Sequence, residues 1–146
     1  MIRKMMTGEH SASPAFWMIP VDIQDVTRAH LRSLHVEKAA NQRFLLTGDR
    51  ALWLQDMAIT FGETLNEAGY DYKVSQKGVP YCLLWLISWF SSELAAALPL
   101  VGLEYNFENQ KSKTILGLEY ARPLKTVLLE TAEALIKSGK VPEKRK

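Results

Sequence analysis

The sequence predicts an α/β chain that is mostly helical, with one central strand and short peripheral strands. Three observations predict it. Apolar residues recur at helical spacing after Asp22, after Leu54 and after Pro123. One short apolar run, Gln42 to Thr47, has the length and polar flanks of a buried strand. Finally, 47% hydrophobic and 23% charged residues over 146 positions is the balance of a chain that packs around one core.

Taken in order, residues 1–13 lack any sustained period and read as an irregular segment, and Pro14 and Pro20 extend that loop. Ile19-Pro20-Val21 reads as a short strand. Asp22-Ile23-Gln24-Asp25 has the layout of a capping box, so Asp22 and Asp25 are structural residues at a helix start. In that helix Val26, Ala29, His30, Ser33 and Leu34 fall on one face, with Arg28 and Arg32 opposite as an exposed stripe. His30 is expected to be a packed histidine beneath the sheet.

Gln42-Arg43-Phe44-Leu45-Leu46-Thr47 reads as a fully buried strand ending at Gly48-Asp49. Leu54, Met57, Ala58, Phe61 and Leu65 then mark a helix stopped by Gly69, followed by an extended Tyr70 to Ser75. Pro80 suits the opening of a third helix, because its missing N–H would be unpaired there anyway. Ser92 to Leu98 is a short helix, and Leu103, Tyr105 and Phe107 alternate with Glu104 and Asn106 as a strand does. Asn109 caps a helix closed by Gly117, and Pro123 opens the last one, with Leu124, Val127, Leu128, Thr131 and Leu135 inward and Gly139 at its end.

Charge and cysteine usage narrow the function classes. Net charge is +2, and the basic residues cluster only in the tail 140–146, expected to be solvated and frayed; no nucleic-acid face follows from it. The single Cys82 sits in an apolar run and is expected to be a buried small hydrophobe in a reducing, cytoplasmic setting. Gly78 to Ser92 carries no charge, yet it is shorter than the roughly 20 residues a bilayer requires, so membrane insertion is not favoured. A lone central strand poses a larger question. Such a strand needs neighbours on both sides for its main-chain groups, and no other segment supplies them.

Four short stretches in order carry a resemblance. Pro20-Val21-Asp22-Ile23-Gln24-Asp25-Val26-Thr27-Arg28-Ala29-His30 is similar to a valine-aspartate-x-x-aspartate-valine-alanine-x-alanine-histidine stretch. Gln42 to Gly48 is similar to a late central strand. Phe107-Glu108-Asn109-Gln110-Lys111 through Ile115-Leu116-Gly117 resembles an asparagine-x-lysine and leucine-glycine pattern, and Arg122-Pro123-Leu124-Lys125 resembles an arginine-proline-leucine helix opening. Together they resemble the extended short-chain dehydrogenase/reductase superfamily, whose members are NAD-dependent epimerase/dehydratase-like. The nearest branches are the dihydroflavonol-reductase-like and 3β-hydroxysteroid-dehydrogenase-like ones. Thr27 stands where alanine is usual and Leu118 where an aromatic is common.

The resemblance implies that residues 14–139 are the C-terminal, substrate-side portion of a Rossmann-type extended reductase. It implies a cytoplasmic NAD(P)-dependent oxidoreductase of a small aldehyde, ketone or hydroxysteroid-like carbonyl for the full-length counterpart. The alternative is a non-catalytic binding module derived from such a reductase, with a partner chain or dimer covering the apolar helix 80–90. By the same resemblance Pro14 to Met18 approaches the substrate, which makes Phe16, Trp17 and Met18 candidate lining residues. Tyr81, Trp85 and Trp89 lie four apart, on one helix face, and the resemblance sets that helix over the cleft. Ordinary packing accounts for either group as well.

The chemistry of hydride transfer is missing from these residues. No two of the eight glycines lie two or three positions apart, so there is no Gly-rich phosphate turn. No tyrosine has a lysine four residues on: the positions after Tyr70, Tyr72, Tyr81, Tyr105 and Tyr120 are Val74, Gln76, Trp85, Asn109 and Leu124. The chain is therefore expected to hold no catalytic and no cofactor-binding residue and to be inactive alone. His10, His30 and His35 have no metal-ligand spacing, and no metal is expected.

Overall fold

A computed structural model describes residues 1–146, Glu93 by its backbone alone. Half of the chain is helical, and the described residues form seven α-helices and one two-stranded sheet, a mostly helical α/β fold. Where the composition suggests a single core, contacts divide the chain into two compact units. The first is Met1–Trp17, Leu52–Leu103 and Pro123–Lys146; the second is Met18–Ala51 and Glu104–Arg122.

In the first unit, α3 (Leu54–Glu67) buries Leu54, Met57, Ala58, Phe61 and Leu65, the face its periodicity marks, and packs against α7 (Leu124–Lys137) through Leu128 and Ala132. Gly69 (φ 81°) and Gly139 (φ 71°) follow these helices in the left-handed conformation that glycine adopts without a Cβ penalty. The strand β1 (Trp17–Met18) pairs with β2 (Leu52–Trp53), so the short strand falls two residues before Ile19-Pro20-Val21. Pro20 has no N–H for a ladder.

Two expectations for the termini are corrected. Residues 1–13 are not wholly irregular: α1 (Ile2–Thr7) buries Met5 and Met6 and packs on α7, one turn and a half being too short to display a period. The tail 140–146 is an ordered strap. Val141 is buried, the Asp71 amide donates to the Lys144 carbonyl (3.0 Å), and the Lys146 amide donates to the Gly69 carbonyl (3.1 Å). The Tyr72 hydroxyl donates to the Pro142 carbonyl (2.6 Å), and the Arg145 guanidinium lies 4.1 Å from the Tyr70 ring centroid. Burial raises the Tyr72 phenol above its ordinary pKa. A local reading sees four cations on an end; the aromatic grip comes from residues about half the chain away.

The helix α4 (Tyr81–Ser88) opens on Pro80 and packs with α5 (Ser92–Ala97), whose N-cap Ser91 accepts from the Leu94 amide. Leu84 and Ser88 are its buried residues, and Cys82 is exposed rather than buried. An apolar run hides each of its members only when neighbours surround it, and α4 has neighbours on one side.

In the second unit, α2 (Ile23–His35) begins at Asp22, whose carboxylate accepts from the Gln24 amide (2.9 Å) and pairs with Arg122 (2.6 Å). Asp25 is buried but pairs with Arg28 instead of reaching back to the main chain. Ala29, Ala39, Leu116 and Leu118 form the core of this unit, with α6 (Gln110–Leu116) against α2. Gly117 (φ 61°) closes α6, leaving room for Arg32 to donate to the Leu116 carbonyl (3.0 Å). Arg28 and Arg32 are exposed as their stripe predicts, Arg32 reaching back to that carbonyl, and His30, Ser33 and Leu34 of the expected inner stripe are exposed as well, Leu34 at 78%. The His30 ring bonds the Val26 carbonyl of its own helix (2.8 Å). The expected inner stripe supposes a sheet over α2, and of the two-stranded sheet this unit contains Met18 alone.

The run Gln42 to Thr47 is likewise not a paired strand. Phe44 and Leu46 pack on the core while Arg43 and Leu45 face out, an alternation of period two that keeps the run half covered rather than fully buried. Leu103, Tyr105 and Phe107 are also exposed and lie outside any strand, Tyr105 and Phe107 meeting edge to face at 5.3 Å. We expect Asp22→Ala to lower stability by about 2 kcal/mol in urea denaturation, because it removes a helix cap and the ion pair with Arg122. A loss below about 0.5 kcal/mol would show the pair to be ornamental.

Candidate functional site

The first unit gathers both segments that the sequence marks for substrate contact. Residues 13–17 act as a hub. The Ser13 amide donates to the Lys77 carbonyl (2.7 Å) and its carbonyl accepts from the Val79 amide (3.1 Å), a parallel bridge that ends one residue before Pro80. The Gly102 amide donates to the Ala15 carbonyl (2.8 Å), and the Leu54 amide to the Phe16 carbonyl (2.9 Å). Three distant stretches are thereby tied to one loop, and the loop is anchored at the root of α4. Ser13 itself is buried and meets the His10 ring (3.2 Å), whose pKa burial lowers.

Phe16 and Trp17 are half-buried on this hub, and Trp17 meets Trp53 edge to face at 4.7 Å. Trp53 escapes the sequence reading because its partner lies far away in sequence; its only local signal is an aromatic residue immediately before a helix. Met18, also half-buried, belongs to the second unit. On α4 the aromatic stripe is not core: Tyr81 is exposed, Trp85 is 46% exposed and Trp89 69%, with the two indoles edge to face at 5.0 Å. Such paired rings with accessible faces can hold a flat apolar molecule.

The second unit contains a polar cluster at the end of the half-covered run. Asn109 does not cap α6 with its side chain; its Nδ2 donates to the Thr47 carbonyl (2.8 Å) and to the Asp49 carboxylate (2.7 Å). Lys113 completes the cluster with Asp49 at 2.6 Å. The Asn109 hydrogen bond, then Lys113, hold the Asp49 carboxyl below its ordinary range. Gly48 is obligatory here, since a Cβ would sit on the Pro20 carbonyl oxygen that its own amide contacts at 3.1 Å. Asn109, expected to cap the helix, stands at the N-cap position but uses its side chain as a cross-link to Thr47 and Asp49.

A dinucleotide does not fit the residues present. The positive-φ glycines Gly8, Gly69, Gly102, Gly117 and Gly139 follow helical turns, and the helices of the described residues start after Met1, Asp22, Trp53, Pro80, Ser91, Asn109 and Pro123, none of them a glycine turn. Among the described residues no three His, Cys, Asp or Glu side chains gather as a metal site, and no helix is long and apolar enough to cross a membrane.

Comparison with family models gives no match, and comparison with curated proteins gives none either. Among solved structures the chain is similar to the crystal structure of gox2253, at 20% sequence identity and a TM-score of 0.70. The match covers 97% of this chain and 44% of that one. At this identity the likeness shows a shared fold and nothing of activity. The chain spans less than half the length of gox2253.

Asn109→Ala should raise the pKa of Asp49, read by carboxyl NMR titration. The sign follows from linkage: a depressed carboxylate contributes stability above its unfolded pKa, and that contribution is lost as pH falls through the folded value. The variant should therefore show a smaller acid-induced loss than the parent. An unmoved Asp49 titration would assign the shift to Lys113 alone.

Proposed function

We propose that this chain is the substrate-side portion of a Rossmann-type NAD(P)-dependent carbonyl reductase of the extended short-chain kind, and that it binds substrate without catalysing its reduction. The observation that carries the reading is the hub at residues 13–17, which ties the Phe16–Trp17 loop to the root of the aromatic helix α4 within one compact unit. Those are the two segments that the family resemblance assigns to the substrate. The fold shared with a chain more than twice as long fits a part of a larger protein.

The groups offered are apolar and aromatic, so the substrate class is an apolar or aryl aldehyde or ketone. Phe16, Trp17, Tyr81, Trp85 and Trp89 supply faces for stacking. The NAD(P) and the acid that protonates the product alkoxide belong to residues outside this chain's sequence, because it contains neither a Gly-rich turn nor a tyrosine-lysine pair. The open apolar arc of α4 favours a second reading, a non-catalytic binding module whose helix 80–90 meets a partner chain.

Titration of the chain with an aryl ketone, followed by tryptophan fluorescence, tests the proposal. Saturable quenching is expected, and the combined Trp85→Ala and Trp89→Ala change should weaken it about tenfold while leaving the melting temperature within a few degrees. Quenching that rises linearly without saturation, or that both substitutions leave unchanged, removes α4 from substrate binding.

A further inference from the structure

We propose that a second copy of this chain docks antiparallel on α4, so that the aromatic flanks of the two helices line one cleft. This rests on the reading above, in which Tyr81, Trp85 and Trp89 meet an aryl substrate, and it names what stands on the other side of that substrate. The buried residues of α4 are Leu84 and Ser88. Trp89 keeps right-handed helical geometry (φ −67°, ψ −22°), so the spacing carries through to Phe90. Leu83, Leu86, Ile87 and Phe90 therefore fall on the side away from the buried pair, at the i, i+3, i+4, i+7 spacing of a packing ridge, and Tyr81, Trp85 and Trp89 run along one flank of it. The ridge is uncovered, from 40% exposure at Ile87 to 88% at Phe90.

Area and charge select the occupant. With aromatic side chains of roughly 150–250 Å² each, the large apolar residues exposed between Tyr81 and Phe90 present on the order of 900 Å², and a stable interface takes about 800 Å² from each partner. No residue from Gly78 to Ser92 is charged, so two copies meet without like-charge repulsion, and the helix offers no cation to a lipid headgroup. The ridge also matches itself. Across a two-fold axis between Leu86 and Ile87, antiparallel copies set each Phe90 against Leu83 of the partner subunit, large against small, and oppose their helix dipoles; parallel copies set Phe90 on its own mate and align the dipoles. An axis of that kind, perpendicular to both helices, leaves the two aromatic flanks on the same side. Sites for small molecules enclose about 70–90% of their ligand, and rings from two copies supply walls on both sides of it.

Sedimentation velocity of the intact chain tests the interface. A dimer is expected at concentrations on the order of tens of micromolar, and Phe90→Glu, outside the aromatic flank, should weaken it about a hundredfold or more. In Cys82→Ser protein under a mild thiol oxidant, Leu86→Cys should join two copies by a disulfide. Leu83→Cys, about 10 Å from its symmetry mate along an antiparallel pair, should not. The cysteine variants read the geometry even where Phe90→Glu fails to fold. A monomer at that concentration, or a dimer that Phe90→Glu leaves intact in a folded chain, overturns the proposal. So does linkage through Leu83→Cys as efficient as through Leu86→Cys, which reports parallel helices, or a chain that floats with phosphatidylcholine vesicles in place of dimerising. The ketone titration separates this proposal from the reading it rests on. Quenching about tenfold weaker in Phe90→Glu, with all three rings in place, supports the shared cleft. Saturation unchanged in the monomeric variant overturns the cleft and keeps the substrate reading, whereas a dimer without saturable quenching removes the substrate reading and leaves the interface.

Discussion

A main-chain amide or carbonyl lying in an apolar setting needs a partner, and this requirement organises how the second unit is understood. Its core of Ala29, Ala39, Leu116 and Leu118 covers one side of the run Arg43–Leu46, and the other side is open. The helix that borders it also leaves apolar side chains uncovered, Ile23, Leu31 and Leu34 all being exposed. Apolar side chains left out in this way are costly for a chain in water and ordinary for a layer against a sheet.

What holds this open arrangement in register is polar. Asp22 caps α2 and grips Arg122 a hundred positions later, so the two ends of this unit's chain segments are fixed to each other. Gly48 admits the Pro20 carbonyl, and Asn109 ties Thr47 and Asp49 to the start of α6. The run is thus presented by cross-links at its C-terminal end, which keeps it extended without a neighbouring strand.

The parts legible in the sequence are those written locally. α3 and α7 declare themselves through periodicity, and Gly69, Gly117, Gly139, Pro80 and Pro123 mark helix ends because their backbone preferences act within a residue or two. Other features depend on distant partners and are silent in one dimension. Pro142 and Arg145 are held by Tyr72 and Tyr70, Trp53 by Trp17, and the side chain of Asn109 by Thr47. His30 misleads for the opposite reason: its position on the inner stripe is correct for a helix under a sheet, and here its side chain is exposed. The candidate site shows the same division. Spacing alone places Tyr81, Trp85 and Trp89 on one face, whereas the hub that brings Phe16 and Trp17 to their helix is made by main-chain bonds that no motif records.

The account as a whole stands on the separation of substrate contact from hydride chemistry. Aromatic surfaces are plentiful in the first unit, and the sequence contains neither closely spaced glycines nor a tyrosine with a lysine four residues on. Equilibrium dialysis of the purified chain against NADPH and NADH tests this most directly. The account predicts no saturable binding up to millimolar nucleotide; saturation at micromolar concentration would contradict it.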